Sequence, residues 1–151
     1  MNVITSSNSW QEFENKLSKL TKKEKGNAFE ELTRLYFLTD PLYISLLDKV
    51  WHHSKVPQDI KDKLDLPETE IGIDLVCKTK KGEYWAIQCK FRSDKTETLK
   101  VKGDLATFNN LAFTVCKNIS HGIVCATVNR PPKKEHLLNV GYILLKDWLG
   151  L

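Results

Sequence analysis

The chain has 151 residues, 41% hydrophobic and 28% charged, with a formal net charge of +4 at pH 7. That size and balance fit one globular domain with a core of its own, and the modest positive excess favours polyanionic partners. No apolar run approaches the roughly 20 residues that span a bilayer, and the first ten residues, MNVITSSNSW, lack the basic and apolar segments of a signal peptide, so a cytoplasmic protein is expected.

In chain order, Ser9-Trp-Gln-Glu12 has the form of a capping box, and Trp10, Phe13, Leu17 and Leu20 follow at helical spacing. Thr21-Lys-Lys-Glu24 repeats the signature and predicts a second helix through Leu38, stopped by Asp40-Pro41. Its apolar face is expected at Ala28, Phe29, Leu32, Leu35 and Tyr36, with Asn27 and Arg34 toward solvent. Glu30 falls with Gly26, Thr33 and Phe37, and Gly26 leaves an open surface one turn before that carboxylate. Residues 42–47 read as a further helical turn or two. Residues 49–56 read as an irregular edge strand closed by Pro57, in which the adjacent His52 and His53 point to opposite faces as surface or packing residues. A short helix over 58–64 leads toward the centre of the chain.

That centre is IGIDLVCKTKKGEYWAIQCKFR, residues 71–92. Apolar alternation at Ile71, Ile73 and Leu75, a Lys80-Lys81-Gly82 turn, and an aromatic and β-branched run from Tyr84 predict a two-stranded hairpin. Asp74 interrupts the first strand, and Gln88 and Lys90, two apart in the second, share a face. A strand interior is a costly place for an acid, an amide and an amine, so their convergence marks a candidate site. Cys77, Cys89, Cys116 and Cys125 have no metal-ligand spacing and read as reduced, buried thiols.

After the hairpin, residues 93–101 form a polar, lysine-rich loop expected to be mobile. A helix is expected over 103–118, a buried strand over 122–127, a short helix from Pro131-Pro132 and a last strand over 142–145. Strand, helix and strand in succession imply a parallel crossover. The expected α/β fold is a mixed sheet, an antiparallel meander followed by parallel strands, flanked by helices. Residues 1–20 would be a helical extension of a single domain whose core runs from 21 to 149.

Gly26-Asn-Ala-Phe-Glu30 on a helix, Gly72-Ile-Asp74-Leu-Val on a strand and Gln88-Cys-Lys90 on the next, followed by helix, strand and strand, resemble the PD-(D/E)XK nuclease superfamily. More narrowly the set is similar to the Mrr-like nuclease domains of bacterial restriction enzymes, including those fused to helicase and methyltransferase modules. The resemblance implies a restriction-endonuclease-like core and a DNA endonuclease that uses Mg²⁺, with Mn²⁺ able to substitute, on double-stranded DNA. It carries over Glu30, Asp74, Gln88 and Lys90 as catalytic residues. Asp74 would be the principal metal ligand, Gln88 would coordinate through its amide oxygen where many relatives have an acid, and Glu30 would partly replace the missing charge. Lys90 would place a compact positive charge near the scissile phosphate. No Pro precedes Asp74, and Gln replaces the second acid, as in the Mrr-like branch. Glu70 is a further acid near Asp74.

Lys95, Lys100, Lys102 and Arg130, with Lys133 and Lys134 beyond, are candidate DNA contacts, as are the strand-end residues Thr127 and Asn129. The neutral Gln88 leaves open a nuclease fold that binds DNA without cutting it. A third alternative is a protein-interaction domain in which Lys90 simply pairs with Asp74.

Overall fold

The computed structural model describes residues 7–68, 72–100, 104–131 and 139–150. Side-chain caps set where the first helices start. The Ser9 hydroxyl accepts from the Glu12 amide at 3.1 Å and opens α1 (Trp10–Leu17). The return bond to Glu12 comes from the Asn8 amide instead of Ser9, so the box is displaced by one residue. Thr21 and Glu24 form the full reciprocal box at the head of α2 (Lys22–Thr39). Asp40 then ends α2 and caps α3 (Pro41–Leu46), whose first residue is a proline that needs no helical amide partner.

Five strands, β1 (Leu47–His52), β2 (Leu75–Thr79), β3 (Tyr84–Lys90), β4 (Ile119–Ala126) and β5 (Val140–Ile143), lie in chain order across one sheet. The first three pair antiparallel, and β3–β4 and β4–β5 pair parallel, which is the predicted mixed topology. The edge strand β1 ends at His52, and a 3-10 turn (His53–Lys55) and α4 (Gln58–Leu64) follow it. The segment expected as one helix over 103–118 is α5 (Ala106–Asn110) prolonged by a π-helical turn (Leu111–Val115). Strand β5 lies two residues earlier than expected, and Leu145 opens a helix the periodicity did not show, α6 (Leu145–Leu149). The helix expected from Pro131-Pro132 lies outside the described residues.

Alternation along the strands divides the core in two. Val76, Ala86 and Val124 point toward α4 and α5, where Leu64, Leu105 and Phe108 cover them. Leu75, Cys77, Ile87, Ile123 and Cys125 point the other way, onto α1, α2 and α6. There Trp148 of α6 is fully buried, stacks on Trp10 with 6.0 Å between ring centroids, meets Phe29 edge-on at 5.3 Å and donates its indole N–H to the Ala126 carbonyl. The buried stripe of α2 is Phe29, Thr33 and Phe37, rotated from the expected one. Thr33 tolerates full burial because its hydroxyl donates to the Phe29 carbonyl at 2.8 Å, so a polar side chain costs the packed face little. All four cysteines are free thiols, and among the described residues no helix is long and apolar enough to cross a membrane.

Two glycines stand in contrasting settings. Gly72 has φ +89°, and a Cβ there would meet Thr107 at 3.0 Å and Leu111 at 3.1 Å. Gly26, inside α2, has nothing within 4 Å of the same position. Gly72→Ala is therefore expected to destabilise the fold by about 1–3 kcal/mol, whereas Gly26→Ala should stabilise it by about 0.5–1 kcal/mol. Urea midpoints of the two variants should move in opposite directions.

Candidate functional site

Gly72, whose positive φ is foreign to a strand, explains why the extended run predicted from Ile71 begins only at Leu75. Asp74 therefore precedes β2, yet three hydrogen bonds from β3 and the 3-10 turn hold it. Its amide donates to the Ile87 carbonyl at 2.9 Å, its carbonyl accepts from the His53 amide at 3.0 Å, and its Oδ2 accepts from the Cys89 amide at 2.7 Å. The β2–β3 ladder ends at the Leu75–Ile87 pair, so Asp74 lies just beyond its end, beside the strand that carries Gln88. A carboxylate bonded to a backbone amide is fixed in direction.

Gln88 is only 4% exposed, and its Oε1 is buried with no hydrogen-bond partner among the described residues. An orphaned buried acceptor costs about 1–3 kcal/mol, so the fold holds an amide oxygen it does not itself satisfy. Lys90, two residues on and half-buried, faces the same way. Burial pushes its ammonium below the ordinary lysine value and Arg92 adds to the effect, while Asp74 and Asp104 pull it back up. Arg92 in turn is held by Asp104 at 3.0 Å and Glu97 at 3.2 Å. Arg92 and Asp104 were not among the residues singled out in the sequence. The period of two that joins Gln88 to Lys90 extends to Arg92, and that was the available signal.

Glu30 sits on α2, which covers the face toward which Ile87 and Cys89 point. Burial pushes the Cys89 thiol well up, and Cys125, Asp74 and Glu30 add to the rise against a hydrogen bond to Thr33. Both carboxylates thus act on the same sulfur, Asp74 from the strand ends and Glu30 from the helix. The neighbouring Glu31 braces the helix to β1. It pairs with Arg34 at 2.6 Å and with His52 Nε2 at 2.6 Å. Partial burial pushes the Glu31 carboxyl up, but the bonds from Arg34 and His52 outweigh it and hold the carboxyl below its ordinary range.

The candidate DNA contacts separate. Lys95 is turned inward: its ammonium donates to the Arg92 carbonyl at 2.7 Å, pairs with Glu14 at 2.6 Å and lies over the Phe91 ring. Lys100 and Arg130 are exposed, and the backbone beside them is stitched together, with a Thr98–Arg130 bridge and a Leu99 amide bond to the Arg130 carbonyl at 2.8 Å. Thr127 is buried, its hydroxyl accepting from the Arg92 amide at 2.7 Å and donating to the Arg92 carbonyl at 3.0 Å. Asn129 accepts from the Lys146 amide at the start of α6. Thr127 thus holds the start of the polar loop onto the sheet, and Asn129 holds the start of α6. Glu70, Lys102, Lys133 and Lys134 lie outside the described residues.

Among the described residues no three His, Cys, Asp or Glu side chains gather as metal ligands. The oxygens available to a hard cation are instead one carboxylate at Asp74 and the orphaned amide oxygen at Gln88, and a hard cation takes both kinds.

A family model described as restriction endonuclease, of Mrr catalytic type, matches residues 38–139. The chain belongs to that family. The matched segment contains Asp74, Gln88 and Lys90 and leaves Glu30 outside it. Among solved structures, the ATP-dependent Type ISP restriction-modification enzyme LlaBIII bound to DNA is similar, with a TM-score of 0.67 at 21% identity. The likeness covers 95% of this chain and 8% of that one, so this restriction endonuclease domain corresponds to a small part of the larger enzyme's length. At that identity the similarity shows the fold. No curated protein matches the chain.

Gln88→Leu, which removes the orphaned oxygen and keeps the volume, is expected to leave stability unchanged or raise it by about 1–3 kcal/mol in urea denaturation. Glu31→Gln should lower stability at neutral pH. Because the folded Glu31 pKa is depressed, that difference is present above the ordinary carboxylate range and should vanish as pH falls through the folded pKa. Paired melts from pH 7 to pH 3 read the effect.

Proposed function

We propose that this domain is a metal-dependent DNA endonuclease, hydrolysing phosphodiester bonds in double-stranded DNA. The observation that carries the reading is the orphaned Gln88 Oε1, buried on β3 between Ile87 and Cys89, the two residues whose backbone holds Asp74, and two residues before Lys90. A fold stabilises such an acceptor only poorly, and a bound cation would satisfy it. Asp74 and Gln88 would hold Mg²⁺ or Mn²⁺, with Glu30 supplying the charge that the amide lacks. When bound, the cation supplies stabilisation of the charge on the phosphate and a more acidic water.

The chain's own residues do the rest. The Cys89 amide keeps Asp74 pointed. Lys90, drier than a surface lysine, presents its ammonium to the non-bridging oxygens of the phosphate and to the attacking water, where a fixed charge is worth more than in bulk water. Asp104, by holding Arg92, sets how strongly a second cation bears on Lys90. The relative bound to DNA is an ATP-dependent restriction-modification enzyme. This supports reading the present chain as the nuclease module of a comparable larger assembly with helicase and methyltransferase modules.

A second reading, a nuclease fold that binds DNA without cutting it, rests on the neutral Gln88 and the lack of a three-acid cluster among the described residues. Cleavage assays on duplex DNA with Mg²⁺ or Mn²⁺ separate the two. Asp74→Ala and Lys90→Ala should each lower the rate by about 10²–10³-fold, and chelation should abolish it. Unchanged cleavage in both variants would remove the assignment. Calorimetry showing no Mn²⁺ association, with salt-sensitive DNA binding intact, would favour the second reading.

A further inference from the structure

A groove of about 560 Å³ is lined by Lys22 and Lys25 of α2 and by Phe91, Arg92, Ser93, Asp94 and Glu97 of the segment that leaves β3. It begins one residue after Lys90. Its acids are engaged locally: Glu97 pairs with Arg92 at 3.2 Å, and Asp94 accepts from both the amide and the hydroxyl of Thr96. Lys22 and Lys25 form no ion pair among the described residues, so they are the cations left to attract a ligand.

One turn along the same helix lies Gly26, with open space where a Cβ would stand. A glycine inside an 18-residue helix costs about 0.5–1 kcal/mol relative to alanine. No packing contact among the described residues accounts for it, since none of them comes within 4 Å. Close approach by a partner's backbone does account for it. At 1.5 Å per residue, Lys25 and Lys22 lie about 7.5 and 12 Å along the axis from Glu30, toward the start of the helix.

We propose that this groove seats the sugar-phosphate backbone of one DNA strand, with Lys22 and Lys25 contacting the phosphates that flank the scissile one and Gly26 giving the strand room against the helix. The proposal rests on the nuclease reading and extends it to α2, away from the lysines of the 95–102 loop. These contacts position the strand and carry no base readout.

The test is fluorescence anisotropy of a duplex bound by the 151-residue chain without divalent metal, over a salt series. Lys22→Gln/Lys25→Gln should weaken binding and reduce the slope of log K against log salt by about 2, one for each lost phosphate contact. Lys80→Gln/Lys81→Gln makes the same charge change at the exposed hairpin turn, at the far end of the sheet, and should leave the slope unchanged. Equal losses in both pairs would mean a general electrostatic field and overturn the groove, as would no loss in the first pair or no measurable binding by the wild-type chain. Cleavage that depends on Asp74 but not on Lys22 and Lys25 would overturn the groove and leave the nuclease reading standing. Binding that depends on the two lysines in a chain that cuts nothing would do the reverse.

Discussion

Asp74 is pinned where β2 and β3 meet, and the arrangement of the site follows from how it is pinned. Its amide and carbonyl complete the ladders to Ile87 and His53, and its carboxylate takes the Cys89 amide. The last bond makes the difference between an acid at a strand end and an acid with a fixed direction. The left-handed backbone at Gly72 delivers the chain into this position, and Thr107 and Leu111 close the space where a side chain would sit. A residue held at its amide, its carbonyl and its carboxylate has a fixed place at the end of β2.

Around that fixed acid the domain tolerates groups that do not favour folding. The Gln88 amide oxygen is buried without a partner, and Lys90 is drawn out of water beside a second cation, Arg92. Each works against stability, and each accords with the proposal that a phosphate and a cation are received there. The surrounding structure is built to hold them. Thr127 clamps both polar groups of the Arg92 backbone, Asp104 and Glu97 hold its guanidinium, and Glu31 ties α2 to β1 through His52. On the far side of the sheet, the Trp10, Phe29 and Trp148 cluster supplies apolar contact that compensates for the strained and unsatisfied positions.

The hairpin, the mixed sheet and the two polar residues two apart in β3 were legible because they depend on turn chemistry and a period of two. The α2 start at Thr21 was legible because a capping box is complete within four residues. Where expectation and structure part, a distant contact is responsible. The buried stripe of α2 passes through Thr33 because that hydroxyl satisfies itself on Phe29, so a polar residue can face the sheet. Lys95 looked like a solvent-facing cation, yet Glu14 of the first helix lies against it. Thr127 and Asn129 looked available at a strand end, yet one holds the loop at Arg92 and the other receives the amide of Lys146.

Sequence alone therefore determined most of the element types, the mixed character of the sheet, and the candidate set of Glu30, Asp74, Gln88 and Lys90. Capping, alternation and turn formation act over a few residues, and the resemblance to Mrr-like nucleases is carried by the same short motifs. Only the tertiary structure decided that Gln88 Oε1 has no partner, that Asp104 and Arg92 stand beside Lys90, and that Glu30 approaches from the helix on the other face. Burial, desolvation and hydrogen-bond satisfaction are set by residues tens of positions apart, and no local pattern encodes them.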